Sequence, residues 1–352
     1  MIRIDATTLT AFAGAVLHAT GVPSRDAEIT AARLVEADLR GRTGHGLIRL
    51  APYVTRIQAG GVNIAPTITV RHETPVSALV DGDNGLGQVV MTQATELAIS
   101  KAQATGLAWV GTVHSNHAGA AGLYAEMAAD AGLIGMYLAV ANSNGMPPWG
   151  GVAPMLGTNP IAIAIPTEKH PFVLDIATTA ASHGSIKVAA QLGEPIPEGW
   201  VVDATGTPIT DPARAGDGFL VPMGGYKGAG LTIAFGLLAG VLNGAAFGDE
   251  VIDHLRDAAT PTNTGQALLV LRADLFRSRD EVLAAVTGHL DAIRDSGTRD
   301  GGPVRLPGDA AAATRSDNEQ HGIPVPDKLA ADLDALAGRF DVDSPFRDEE
   351  IA

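Results

Sequence analysis

Residues 114–160 read HSNHAGAAGLYAEMAADAGLIGMYLAVANSNGMPPWGGVAPMLGTNP. Two histidines, His114 and His117, open the stretch. Good helix formers follow from 118 to about 131, with Leu123 and Met127 four apart on one face. Gly132 is a natural stop for that helix. Residues 133–141 are a continuous apolar run of strand length. A polar connection rich in Gly and Pro comes next, holding Asn142, Ser143, Asn144, Trp149, Gly150 and Gly151, and the stretch closes on Leu156-Gly157-Thr158-Asn159-Pro160. This order points to an α/β protein, in which ligands collect in loops at the carboxyl ends of strands. A long connection is uncommon without a role. The plain alternative is an αβ unit with a turn-rich link.

Upstream, Thr7 or Thr8 is placed to cap a first helix with Leu9, Phe12 and Val16 on one face. Ser24 is placed to cap a second, with Ala31, Leu34, Val35 and Leu39 as its buried stripe. Then comes Arg40-Gly-Arg-Thr-Gly-His45-Gly-Leu-Ile-Arg49. If the residues after Gly46 are helical, His45 and Arg49 lie one turn apart and face the same way; otherwise they are a loop histidine and a surface arginine. Residues 68–70 and 76–80 alternate as strands around Pro75, 91–105 form an amphipathic helix, and 107–113 form a buried strand that delivers His114 and His117.

Downstream, 161–165 and 172–176 read as strands and 182–192 as a helix. Gly224-Gly-Tyr-Lys-Gly-Ala-Gly230 lets backbone amides approach an anion closely, with Lys227 adding positive charge. It lacks the P-loop pattern, and no G-x-G-x-x-G follows a strand, which argues against a standard Rossmann site. Residues 228–248 carry no formal charge and are long enough to span a bilayer. Six glycines, Asn243 and the lack of a basic flank favour instead a buried helix packed through Gly236, Gly240 and Gly244, against the sheet or a second subunit. A strand covers 267–271, Ser278-x-x-Glu281 is a capping box, 295–322 reads as a long irregular connection, and Pro326 starts a last helix.

The chain has 352 residues, room for one large domain or two interlocked ones. Hydrophobic residues are 46% but aromatics only 4%, so the core must be built mainly from Ala, Val, Leu and Ile. The formal charge of −15 disfavours nucleic acid and anionic membranes as partners, and a small anion needs a local cationic pocket. There is no cysteine, which excludes disulfides, thiolate zinc sites and cysteine nucleophiles. No basic segment followed by an apolar core opens the chain, so the expected location is cytoplasmic. His114 and His117 have half the spacing of a metal site but no third ligand nearby; no metal is expected.

The motifs SNHAGAAGLYAEMAA, PPWGG, LGTNP, DIAT at Asp175, IPEGW at Ile196 and GGYKGAGL at Gly224 occur in order. Together they resemble the malate/L-lactate dehydrogenase family, which lacks a Rossmann fold, and the similarity covers nearly the whole chain. The resemblance implies an α/β fold with a central mixed sheet, in which 1–115 and 270–352 form one unit and 116–269 is an inserted NAD(P)-binding domain. It implies NAD or NADP as cofactor, running past Asn142, along Asp175, Ile176, Ala177 and Thr178, and touching Tyr226, Lys227, Gly308 and Asp309. His183 or Lys187 is a candidate for a ribose 2′-phosphate. Family members carry S-H-G-x-x-R at 44–49, with the histidine as proton donor or acceptor and the arginine at the substrate carboxylate. Here these are His45 and Arg49, and Gly44 replaces the serine. His117 is a second candidate base, and Asn159 and Thr262 are candidate substrate contacts.

The resulting expectation is reversible hydride transfer between the cofactor and a small 2-oxo or 2-hydroxy acid, in a homodimer. A reductase of cyclic 2-imino acids is the alternative. A metal-dependent hydrolase using His114 and His117, and a membrane-associated protein using 228–248, are the readings from other classes.

Overall fold

The computed structural model describes residues 1–299, 301–302 and 304–346, with the backbone alone at 183, 187, 188, 191 and 192. In chain order the elements are β1 (Ile2–Ile4), α1 (Ala6–Ala19), α2 (Ser24–Leu39), α3 (Leu50–Gln58), β2 (Thr69–Thr74), β3 (Ser77–Asp81), α4 (Gly87–Thr105), β4 (Leu107–Ser115), α5 (Gly122–Asp130) and β5 (Leu133–Ala139). Next are β6 (Ile161–Ile165), β7 (Phe172–Ile176), α6 (His183–Leu192), β8 (Val201–Val202), β9 (Phe219–Leu220) and α7 (Tyr226–Ala239). The chain continues with β10 (Thr264–Arg272), α8 (Arg279–Arg294), α9 (Asp309–His321), β11 (Ile323–Val325) and α10 (Asp327–Arg339).

A seven-stranded mixed sheet, ordered β2-β3-β4-β10-β5-β6-β7, organises the chain. Only β3 and β4 run parallel; every other neighbouring pair is antiparallel. β10 sits at the centre, pairing Leu268 with Val110 on one side and Tyr137 on the other. It is buried along most of its length, which explains its unbroken apolar run. Strands from before and after residue 115 thus share one sheet.

α4 and α5 cover one face. Ala94, Ala98 and Ala102 line the α4 contact and Ala125 and Ala128 the α5 contact. Small side chains let these helices sit close to the strands, so the core is dense despite its few aromatics. α7 packs on the other face, where Leu138, Val140, Ala239 and Ala267 meet. A register shift between Thr264 and Gln266 lets the end of α7 approach so closely that a Cβ at Gly265 would collide with the Ala239 carbonyl. A separate helical layer gathers α1, α2, α3 and α10 around Leu9, Leu34, Leu50, Tyr53 and Leu333, closed by the β1–β11 pair.

Several elements differ from expectation. α1 is capped by Asp5, which accepts from the Thr8 amide at 2.8 Å, and Ser24 is the first helical residue of α2 rather than its cap. α5 starts only at Gly122, because Gly119 has φ +82°, a left-handed conformation outside the helical range. The apolar run 228–248 does not form one helix: α7 ends at Ala239, and a 3₁₀ turn follows over Val241–Asn243. Gly236 packs on Phe247 and Gly240 on Val140, but Gly244, expected on the same packed face, is exposed with nothing within 4 Å of its Cβ position. The leucines of the run are exposed as well, so the expected buried helix is half exposed. No helix among the described residues is long and apolar enough to cross a membrane. The connection 295–322 is not irregular throughout, since α9 occupies its second half. The Ser278–Glu281 capping box is present with both of its reciprocal bonds.

Candidate active site

The segment carrying His45 is fixed by α2. The Asp38 carboxylate, at the end of that helix, accepts the Leu47 amide at 2.7 Å. A Cβ at Gly46 would collide with this carboxylate, so only glycine fits there. Burial raises the Asp38 pKa to about 7. His45 and Arg49 lie in two successive 3₁₀ turns, Thr43–His45 and Leu47–Arg49, parted by Gly46, rather than on one continuous helix. Arg49 Nε donates back to the Gly44 carbonyl at 2.6 Å, which brings the guanidinium beside the turn that holds His45.

Three imidazoles form a column. The His45 and His117 rings stack with centroids 5.5 Å apart and planes 15° apart. His254 stacks on His117 at 5.1 Å and 30°. His117 arrives from the end of β4, His45 from the turns after α2, and His254 from the segment before β10. The Tyr53 hydroxyl, from α3, lies 2.6 Å from His117 Nδ1, and Gln88 Nε2, from the first turn of α4, donates to that hydroxyl at 2.8 Å. His45 Nδ1 and both ring nitrogens of His254 are buried without a partner.

Burial is the first cause of depressed basicity in all three rings, and the Arg49 charge adds to it in each. His45 and His254 are brought down to about 4, and His117 lies well below the usual histidine range. Burial pushes Tyr53 up to about 12, so its hydroxyl stays protonated. The column is neutral and sits in a positive field. An anion placed beside it would favour the protonated rings.

Arg56 of α3 holds the His254 segment in place. It donates to the carbonyls of Asp257, Thr260 and Gly61 and to Asn116 Oδ1. Thr262 donates to the Ser115 carbonyl and Asn116 Oδ1, Thr264 donates to Thr262, and Asn142 Nδ2 donates to Thr264 Oγ1. This buried network ties the end of β4 to the start of β10. His114 stands apart: it has φ +50° and its Nδ1 pairs with Asp81 at 3.0 Å. Among the described residues no group of three His, Asp or Glu is arranged to hold a metal ion.

The remaining candidates lie along a second strip. Asp175, Gly122, Arg42 and Gly308 line one cleft, with Arg42 Nε 3.9 Å from the Asp175 carboxylate. From there the chain runs through Ile176 and Ala177 to Thr178, whose carbonyl accepts the Met223 amide at 2.9 Å. Tyr226 and Lys227 follow, both exposed, at the start of α7, and the Trp149 ring packs against Gly225. Asn159 is buried between the Ala141 amide and the Thr232 carbonyl. The Asp309 carboxylate is engaged by Arg294 and the Leu306 amide, which hold its pKa down at about 2. The side chains of His183 and Lys187 lie outside the described residues.

The malate/L-lactate dehydrogenase family profile matches residues 4–334. The chain belongs to that family. The L-sulfolactate dehydrogenase of Methanocaldococcus jannaschii is 40% identical over 298 residues, 84% of this chain and 85% of that one. The malate dehydrogenase of Pyrococcus horikoshii is 37% identical over 352 residues, 97% and 96% of the two chains. The solved structure of the M. jannaschii sulfolactate dehydrogenase superposes with a TM-score of 0.90 at 35% identity, covering 97% of this chain and 98% of that one. Membership makes this protein an NAD(P)-dependent oxidoreductase of 2-hydroxy and 2-oxo acids, as its motifs implied.

Four residues of the site escaped the sequence: Tyr53, Arg56, Gln88 and His254. Tyr53 reads as a core position of an amphipathic helix, and His254 lies in a turn without periodicity. Gly44 has nothing within 4 Å of its Cβ position. Gly44→Ser is therefore expected to change stability by no more than about 0.5 kcal/mol, while placing a hydroxyl next to His45 and altering the ranking of acids by kcat/KM. Thermal unfolding and a substrate panel check both halves.

Proposed function

We propose that the enzyme interconverts a small anionic 2-oxo acid and its 2-hydroxy acid, with His117 as the proton donor and acceptor and Arg49 as the carboxylate clamp. The observation that carries this is the His117 ring, held at Nδ1 by Tyr53 and flanked by His45 and His254 beside Arg49. An imidazole whose far nitrogen is held by a partner has a defined tautomer and orientation, as an acid–base group requires. His45, favoured by the motif alone, has no such partner at Nδ1; it takes the role of the ring that buttresses His117 by stacking on it.

The cofactor strip suits a dinucleotide. The starts of α9 at Gly308 and of α5 at Ala121 have no side-chain cap, and both lie at the cleft that holds Arg42. A guanidinium beside two helix N-termini complements the charge of a diphosphate. Asp175, Ile176, Ala177, Thr178, Tyr226 and Lys227 would continue the strip, with Asn142 between it and the histidines. The bound nicotinamide supplies or receives the hydride. Arg49 fixes the acid by two parallel hydrogen bonds, and a proton moves between His117 Nε2 and the substrate oxygen. Asn159 and Thr262 support the loops around that acid.

A panel of 2-oxo acids and cyclic imines, assayed with NADH and with NADPH, tests the reading. Turnover of a 2-oxo acid is expected; turnover of cyclic imines alone would replace it with the imino-acid alternative. A cytoplasmic setting is part of the proposal, supported by the need for a nicotinamide pool.

A homodimer is also proposed, built on α7. Leu237, Val241 and Leu242 are 47%, 54% and 64% exposed, with Leu231, Ile233 and Leu238 alongside. A contiguous apolar face of this kind marks an association surface, and a second copy offers the same face in return. Leu242→Glu is expected to yield monomers in sedimentation velocity where the unaltered chain sediments as a dimer.

A further inference from the structure

We propose that Gln88 is a positioning residue that selects which ring nitrogen of His117 carries the proton, acting through the Tyr53 hydroxyl. This rests on His117 being the acid–base group. Gln88 is fully buried in the first turn of α4. α4 starts hard against the site, since a Cβ at Gly87 would press on the carbonyls of Asn116 and His117. Gln88 Nε2 donates to the Tyr53 oxygen at 2.8 Å, and that hydroxyl lies 2.6 Å from His117 Nδ1. A hydroxyl has one proton. While its oxygen accepts from Gln88, it gives that proton to Nδ1, and neutral His117 carries its own hydrogen at Nε2.

That tautomer cannot act as a base toward the substrate. For oxidation, the hydroxy-acid O–H breaks, its proton goes to His117 Nε2, and the C–H electron pair leaves as hydride to the oxidised nicotinamide. Nε2 must therefore begin with a free lone pair. Nδ1 then carries the hydrogen and donates to the Tyr53 oxygen, and the Tyr53 proton needs an acceptor beyond. Gln88 Oε1 can be that acceptor. It is buried without a partner, and turning the amide over places it on the hydroxyl. Either orientation pairs one amide atom and leaves the other unpaired, so the hydrogen-bond count favours neither. The chain Gln88–Tyr53–His117 can run in both directions. The carbonyl-first direction also fits the imidazolium that donates in reduction, since Nδ1–H then points at Tyr53 in both protonation states. The groups facing His117 are His45, His254, Arg49 and Tyr53, none of them a carboxylate. Gln88 is thus the group that can set the direction without adding charge.

The test compares unaltered enzyme with Gln88→Met, Gln88→Glu, Tyr53→Phe and the Gln88→Met/Tyr53→Phe double variant, in both reaction directions across pH. Gln88→Met is expected to lower kcat for oxidation by roughly 10–100-fold, with KM changed less than about twofold, since a misplaced tautomer costs chemistry rather than binding. The double variant is expected to match Tyr53→Phe alone, because Gln88 acts only through that hydroxyl. Gln88→Glu is expected to raise the midpoint of the oxidation profile by about one unit. Ring nitrogen shifts of ¹⁵N-labelled histidine are expected to show His117 in the Nδ1–H form in the unaltered enzyme and in Gln88→Glu, and in the Nε2–H form in Gln88→Met. Additive effects in the double variant, a Gln88→Glu pH profile that superimposes on that of the unaltered enzyme, or Gln88→Met ring shifts that do so, would overturn the proposal alone. Turnover that survives His117→Ala would overturn the proposed site with it.

Discussion

His117→Ala is expected to lower kcat by roughly 10²–10⁴ in both directions while dinucleotide binding is retained. The ring is the one imidazole of the column whose far nitrogen has a partner, and the cofactor strip from Gly308 to Lys227 does not depend on it. Steady-state kinetics with fluorescence titration of the reduced cofactor checks both parts. His45→Ala provides the contrast. His45 stacks on His117 and adds to its depressed basicity, so its loss should raise the pH midpoint for oxidation and reduce kcat by about tenfold or less. A His45→Ala loss as large as that of His117→Ala would move the proton to His45, where the motif alone places it.

Arg49→Ala is expected to raise KM for the acid by roughly 10–100-fold, the range for losing hydrogen bonds to a charged group. A second signature separates this role from a structural one. The Arg49 charge depresses His45, His117 and His254 alike. Removing a nearby cation favours the protonated imidazole, so all three pKa values should rise. Oxidation, which needs a neutral base, should then start at higher pH in the variant, and reduction, which needs an acid, should persist to higher pH. Arg49→Lys should recover the pH profile but little of the KM, because an ammonium lacks the planar fork. A raised KM with an unshifted profile would place Arg49 outside the column's field.

Much of this fold is legible in the chain because local signals agree with tertiary ones. β6 and β7 fall where apolar runs bounded by turn residues place them, and the Ser278–Glu281 box marks its helix to the residue. α9 was hidden for a physical reason. Its sequence DAAAATRSDNEQH has no apolar stripe, and its one buried residue is Asn318, whose amide donates to the Asp38 and Leu39 carbonyls. Without an apolar face the helix leaves no periodicity to read. The break in α7 was hidden because Gly240 is as apolar as its neighbours and only its backbone, at φ −98° and ψ −80°, ends the helix.

The site divides the same way. His45, Arg49 and His117 stand out because their motifs are long and ordered. His254 does not, since a histidine between Asp253 and Leu255 in a turn carries no pattern of its own. It reaches His117 only because Arg56 draws the turn inward with bonds to Asp257 and Thr260. Tyr53 and Gln88 were hidden by burial, where a polar tip on a core-facing position looks like packing until its partner is seen.

The place of β10 has a consequence for how the molecule is born. On the ribosome β4 and β5 emerge long before the strand that separates them, and until Leu268 is made their inner edges have no hydrogen-bond partner. Such edges invite pairing with the wrong chain, and closure across so long a loop is slow. Nascent chains stalled before residue 264 should therefore aggregate or recruit chaperones, while chains released just past 272 should acquire protease resistance together, in one step.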